Sequence, residues 1–120
     1  MPGQYRFTRD ERIRRQRDFD IVYEEGRTVR LPAMILRLRP NGLAHSRLGL
    51  SVGRRVGNAV TRNRVKRLLR EVWRLNKSML TVPCDIVVIP RPGADRWRFA
   101  ELQPIVQRGL EAAGKTLGGG

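Results

Sequence analysis

The chain has 120 residues and carries 25 Lys and Arg against 11 Asp and Glu, a formal charge of +14. This length suits a single domain that buries roughly two-thirds of its unfolded surface. No apolar run approaches the ~20 residues of a membrane span and no signal peptide is visible, while the lone cysteine, Cys84, excludes an intrachain disulfide or a cysteine-based zinc site.

In chain order, residues 1–12 read as a flexible basic arm, 13–115 as one domain and 116–120 as a flexible tail. Ile13 is placed to pin the end of the arm to the core. Phe19, Val22 and Tyr23 have i, i+3, i+4 spacing, which predicts a short helix over Arg17–Glu25, with Asp18 as its cap and Gly26 as its C-terminal stop. Arg27 to Arg39 reads as strand, demoted to an edge or a bulge near Pro32 and strongest over Met34–Leu38. Pro40-Asn41-Gly42 signals a turn, so Leu48–Val52 is expected to return as the second arm of a hairpin.

Gly53 and Gly57 bracket a basic turn at Arg54 and Arg55, and Asn58 is a candidate N-cap. A helix then runs to about Asn76. At 100° per residue, Val65, Leu68, Leu69, Val72 and Trp73 share one side, while Asn63, Arg64, Lys66, Arg67, Arg70 and Arg74 share the other, with Arg62 on a flank. Only Glu71 interrupts the positive face. A solvated helix surface normally mixes signs to gain i,i+4 pairing, so a single-sign face of this density implies a polyanion partner. Nucleic acid is the first candidate and an anionic membrane surface the second. The predominance of Arg over Lys suits bidentate phosphate contacts and base stacking.

Asp85–Ile89 is a continuous apolar run typical of a central strand, headed by Cys84 as a buried, inert thiol. A Pro- and Gly-rich loop follows, then a helix over Arg98–Ala113 with Phe99, Leu102, Ile105, Val106, Leu110 and Ala113 facing inward. The order helix, strands, helix, strand, helix indicates an α+β fold, a single-domain two-layer α/β sandwich with a βαβ crossover through the basic helix. Such crossovers are right-handed by default.

Protein-based catalysis has little to work with. His45 is the only histidine and has no partner motif. Asp18, Asp20, Glu24 and Glu25 form the one local acidic group and read as a cap and a solvated face. The glycines near Gly53 lack the Lys-Ser/Thr ending of a phosphate-binding loop. Phe19 and Tyr23, one helical turn apart, are either core residues or a base-stacking platform beside the basic sequence, and periodicity does not choose between the two.

The runs Arg47-Leu48-Gly49-Leu50-Ser51-Val52, Arg54-Arg55-Val56-Gly57-Asn58-Ala59-Val60 and Arg62-Asn63-Arg64-Val65-Lys66-Arg67-Leu68-Leu69-Arg70-Glu71 resemble the signature of the bacterial ribonuclease P protein subunit. The resemblance extends over Asp18-Phe19 with Tyr23, the Asp85–Ile89 strand and the last helix. It implies an accessory subunit of a ribonucleoprotein endonuclease whose catalyst is RNA, removing the 5′ leader of precursor tRNA in the cytoplasm. It implies partners in that catalytic RNA and precursor tRNA, and no membrane or small-molecule substrate. Phe19 and Tyr23 would line the leader cleft, and Arg62, Asn63, Arg64, Lys66, Arg67, Arg70 and Arg74 would form the RNA-facing helix surface, with Arg54 and Arg55 in the basic turn. Magnesium would sit at the interface of RNA, protein and substrate rather than in a protein-only site. The family's crossover is left-handed, which replaces the default expectation. From the residues alone, a structural RNA-binding module of the ribosomal-protein kind is the alternative.

Overall fold

The computed structural model describes residues 7–118, with side chains through Lys115. Its elements are α1 (Gln16–Glu25), β1 (Arg27–Arg30), β2 (Met34–Pro40), β3 (Arg47–Leu50), α2 (Ala59–Asn76), β4 (Cys84–Pro90) and α3 (Phe99–Gly118). Short 3-10 turns lie at Arg9–Glu11, Arg54–Val56, Lys77–Met79 and Ala94–Arg96. Half of the expected basic arm, residues 1–6, lies outside the described residues. The expected tail begins inside α3, and its last two residues also lie outside.

The four strands are ordered β1-β2-β4-β3. β4 therefore occupies the middle, as its unbroken apolar run predicts, antiparallel to β2 and parallel to β3. β1 takes the edge beyond Pro32. The expected hairpin between β2 and β3 does not form. β4 inserts between them, because a strand with Ile86, Val87 and Val88 all buried needs neighbours on both edges and cover on both faces. The loop after Pro40 instead crosses the start of β4. There the Asn41 amide donates to the Pro83 carbonyl at 3.1 Å, and the Cys84 amide donates to Ser46 Oγ at 3.0 Å.

Alternation along the strands assigns the two faces of the sheet. Leu36, Leu38, Leu48, Ile86 and Val88 pack against Val65, Leu69, Val72 and Trp73 of α2 and Leu102, Val106, Leu110 and Ala113 of α3. Sheet and α2/α3 layer make the two-layer sandwich. On the opposite face, Val87 packs with Ile13 and Val22, joined by the partly buried Phe19 and Ile89, so α1 covers that face only in part.

Two details of α1 differ from expectation. Asp18 is not its cap, since the Arg15 carbonyl already accepts from the Asp18 and Phe19 amides, so Asp18 lies in the first turn. Its carboxylate there complements the positive end of the helix. Gly26 does end α1, but in an extended conformation (φ −75°) rather than the left-handed one. Glycine is required for space, as a Cβ would lie 2.3 Å from the Val22 carbonyl oxygen.

Among the described residues the one buried carboxylate is Asp85, 2% exposed at the head of β4. Its Oδ1 accepts from Arg47 Nε at 2.8 Å and from Asn41 Nδ2 at 2.9 Å, while Arg47 Nη2 donates to Oδ2. The fork of Arg47 thus bolts β3 to β4 in register, and its remaining nitrogen lies 3.6 Å from Asp18 of α1. Removing one partner of such a pair leaves the other poorly solvated and unpaired. Asp85→Ala should cost on the order of 3 kcal/mol, at the low end for a buried pair because Arg47 keeps some solvent contact. Urea denaturation followed by circular dichroism reads this directly.

Candidate nucleic-acid interface

The basic helix starts where its cap dictates. Asn58 Oδ1 accepts from the Thr61 amide at 2.9 Å and the Asn58 carbonyl from the Arg62 amide at 2.8 Å. Because Val65, Leu69, Val72, Trp73 and Asn76 are buried, Asn63, Arg64 and Arg67 stand exposed on the outer side, with Arg62, Lys66, Arg70 and Arg74 half-buried beside them. Leu68, expected on the buried side, sits half-buried at the flank. Arg74 is engaged by Glu71, so the one acid on this face is neutralised from within the helix. Arg54 and Arg55 stand exposed in the turn that leads from β3 into α2.

Phe19 and Tyr23 divide their roles. The Phe19 ring is half-buried against β3, where a Cβ on Gly49 would lie 2.6 Å from its edge. Gly49 is therefore the seat that lets the ring approach the sheet. Tyr23 is 36% exposed. The C-terminus of α1 that carries it is fixed by Arg37 of β2, which donates to the Tyr23 carbonyl, to the Gly26 carbonyl at 3.0 Å and to Thr28 Oγ1 at 2.7 Å. A cation on the last carbonyls of a helix is favourable. Sequence reasoning missed this contact because Arg37 lies on another element, and its only local signal was a charge inside an apolar strand.

A cavity of about 240 Å³ joins these two regions. Phe19, Ile13 and Leu50 form its apolar wall, and Lys66 and Arg70 of α2 with Arg12 and Arg14 of the arm form its basic rim. The arm reaches there because Arg12 bridges to Leu48 beside the β3 edge and the Ile13 amide donates to the Leu48 carbonyl at 2.9 Å. Burial and the charge of Arg12 together hold the Arg70 guanidinium below its ordinary pKa. Like charges crowded in this way are relieved when an anion binds between them. A second groove, about 310 Å³, opens on the sheet face that α1 leaves bare, lined by Ile35, Ser51, Arg55, Ile89 and Arg91 among others.

The family model for ribonuclease P matches residues 7–114. The chain belongs to the ribonuclease P protein family. It is 46% identical over 85 residues to the ribonuclease P protein component of Thermotoga maritima, covering 71% of this chain and 73% of that protein. It is 45% identical over 97 residues to that of Syntrophobacter fumaroxidans, covering 80% and 82%. The solved structure of the Thermotoga maritima ribonuclease P protein superposes with a TM-score of 0.78 at 36% identity, over 85% of this chain and 96% of that one. A structure of the Staphylococcus aureus ribonuclease P protein gives 0.77 at 34% identity, over 86% and 94%.

The chain is thus the protein component of a tRNA-processing endoribonuclease that works as a ribonucleoprotein, and the ribosomal-type alternative gives way. The family signature is one continuous path in space, running from β3 through the Arg54–Val56 turn onto the outer face of α2. His45 and Cys84 stand apart from it. His45 Nε2 lies 3.0 Å from the Asp10 carbonyl oxygen. Burial, with the neighbouring Asp85 charge, pushes the Cys84 thiol up to about 11, which leaves it protonated and inert.

The base of the arm is held to the end of α2 by an ion pair between Glu11 and Lys77. Burial opposes ionisation of Glu11, but the hydrogen bonds from Lys77 and Thr8 outweigh it and leave the carboxyl below its ordinary value of 4.5. A depressed carboxylate adds stability that is full above the unfolded pKa and lost as pH falls through the folded one. The stability gap between the wild type and Lys77→Met should therefore be constant from pH 6 to 7 and close below about pH 4. Urea midpoints of both proteins across that range check the sign.

Proposed function

We propose that the domain over residues 13–115 holds the single-stranded 5′ leader of precursor tRNA on the half-covered face of its sheet, while the outer face of α2 docks on the catalytic RNA. The observation that carries this reading is the cavity shared by Phe19, Lys66 and Arg70. It sets an aromatic wall beside cations of the basic helix, which is the combination that binds unpaired nucleotides. Tyr23 offers an exposed ring at the far end of the same helix, and Arg54 and Arg55 extend the positive surface from α2 toward the open groove. Phe19 serves as a wall seated on Gly49 and Tyr23 as the free platform. This reading puts the protein in the cytoplasm with its RNA partners. Among the described residues no helix is long and apolar enough to cross a membrane.

Magnesium fits this surface only through RNA. The ion takes hard oxygen ligands, usually one or two carboxylates with waters and phosphates. On the basic face Asn63 supplies a neutral side-chain oxygen and the one acid, Glu71, is occupied by Arg74. Among the described residues no group of three or more His, Cys, Asp or Glu could hold a metal. The face does not form a magnesium site by itself. Its Arg and Lys side chains act on phosphates, and magnesium would sit where RNA and substrate oxygens meet this face.

Addition of the protein to its RNA subunit at physiological magnesium should increase cleavage of a precursor bearing a leader. Tyr23→Ala should weaken precursor binding by about five- to two-hundredfold, the equivalent of ~1–3 kcal/mol of stacking. Mature tRNA should bind both proteins equally. A folded Tyr23→Ala variant with unchanged leader affinity would remove the platform. For the helix, Arg67→Ala should lower the salt-dependence slope of RNA-subunit binding by about 0.7–0.9. An unchanged slope would show that Arg67 meets no phosphate.

A further inference from the structure

A pocket of about 530 Å³ opens between α2 and the start of α3, on the side of the sheet away from α1. Its floor is Leu68, Trp97 and Phe99, all half-buried against the main core. Arg64, Arg67 and Arg98 rim it, and each is exposed. The floor does not belong to the leader region, since α1, Phe19 and Tyr23 lie against the other face of the sheet. Nor did the positive face of α2 account for it, because Trp97, Arg98 and Phe99 come from a different element.

The pocket is built by backbone as well as side chains. Gly93 adopts the left-handed conformation (φ 100°), which turns the chain out of β4 into the Ala94–Arg96 turn and delivers Trp97 beside α2. Arg64 Nη1 donates to the Asp95 carbonyl at 2.8 Å, so this exposed guanidinium is fixed over the turn. Trp97 is half-buried, with its ring in the pocket floor. An amphipathic ring of this kind normally finds a partner for its polar edge when covered. The acid on the rim, Glu71, is taken up by Arg74.

We propose that this pocket receives one unpaired, extruded nucleotide of the RNA subunit. Its base would stack on Trp97, and its flanking phosphates would meet Arg64, Arg67 and Arg98. The size lies within the ~300–1,000 Å³ of sites that enclose small organic ligands. Aromatic floors with arginine rims are how unpaired bases are read. Charge complementarity selects the occupant, since three arginines on a rim whose one lining acid, Glu71, is paired with Arg74 suit a phosphodiester and disfavour an apolar peptide or a second copy of this +14 chain. Continuity selects the RNA subunit over the substrate, because Arg64 and Arg67 belong to the same exposed face of α2. The inference rests on that docking reading and adds to it a specific nucleotide site.

Trp73 is buried and Trp97 half-buried, so the difference in emission between wild type and Trp97→Phe isolates Trp97. Titration with the protein's own RNA subunit, without tRNA, should quench that difference signal. Trp97→Leu should bind the RNA subunit about five- to two-hundredfold more weakly with its salt slope unchanged, because stacking releases no counterions. Trp97→Phe should retain most of the affinity, and Arg98→Ala should lower the slope by about 0.7–0.9. Thermal melts establish folding, and if Trp97→Leu does not fold, the quenching and Trp97→Phe decide the matter. Three results would overturn the proposal: no quenching by the RNA subunit, quenching that appears only when precursor tRNA is added, or wild-type affinity in a folded Trp97→Leu. If Arg67→Ala lowers the slope while Trp97 is silent, helix docking stands and the nucleotide pocket alone falls. If neither responds, both fall.

Discussion

Strand β4 offers no polar side chain between Asp85 and Pro90, and both of its faces are apolar. A strand of this kind must be paired on each edge and covered on each side, and the architecture follows from meeting those demands at once. β2 takes one edge and β3 the other. α2 and α3 cover Ile86 and Val88, while Ile13 and α1 cover Val87. The small size of α1, with Val22 as its one buried residue, leaves part of the second face bare around Ile35 and Ile89. The incomplete cover of that face is what leaves the groove open there.

Four of the eleven acids of this chain hold cations of its own. Asp85 and Asp18 hold Arg47, Glu11 holds Lys77, and Glu71 holds Arg74. Each fixes a junction: strand to strand, arm to helix, or one turn of α2 to the next. What remains on the outer face of α2 and around the Phe19 cavity is cationic, and Arg12 and Arg70 are close enough for their repulsion to matter. Such a surface is held apart at a cost that an RNA backbone removes, so the same charges that weaken the isolated fold strengthen the complex.

Much of this protein was legible in its sequence. The period of Val65, Leu69, Val72 and Trp73 fixed both the buried and the exposed side of α2, because the face of a helix depends only on spacing along the chain. The Asn58 cap, the interior place of β4 and the family signature were equally local. Pairing was not. The turn signal at Pro40-Asn41-Gly42 suggested a hairpin, yet β3 lies beside β4, since the better use of an apolar strand is to sit between two others. Sequence also could not divide Phe19 from Tyr23, two aromatic rings one helical turn apart on the same side of a short helix. That division came from Gly49, thirty positions away, which seats one ring and not the other. The meeting of Phe19 with Lys66 and Arg70, and of Trp97 with Arg64 and Arg67, likewise depends on how separate elements pack. The sequence by itself determined which faces carry charge and which carry oil; only the tertiary structure decided which aromatic ring stands beside which cation, because that is set by contacts between residues far apart in the chain.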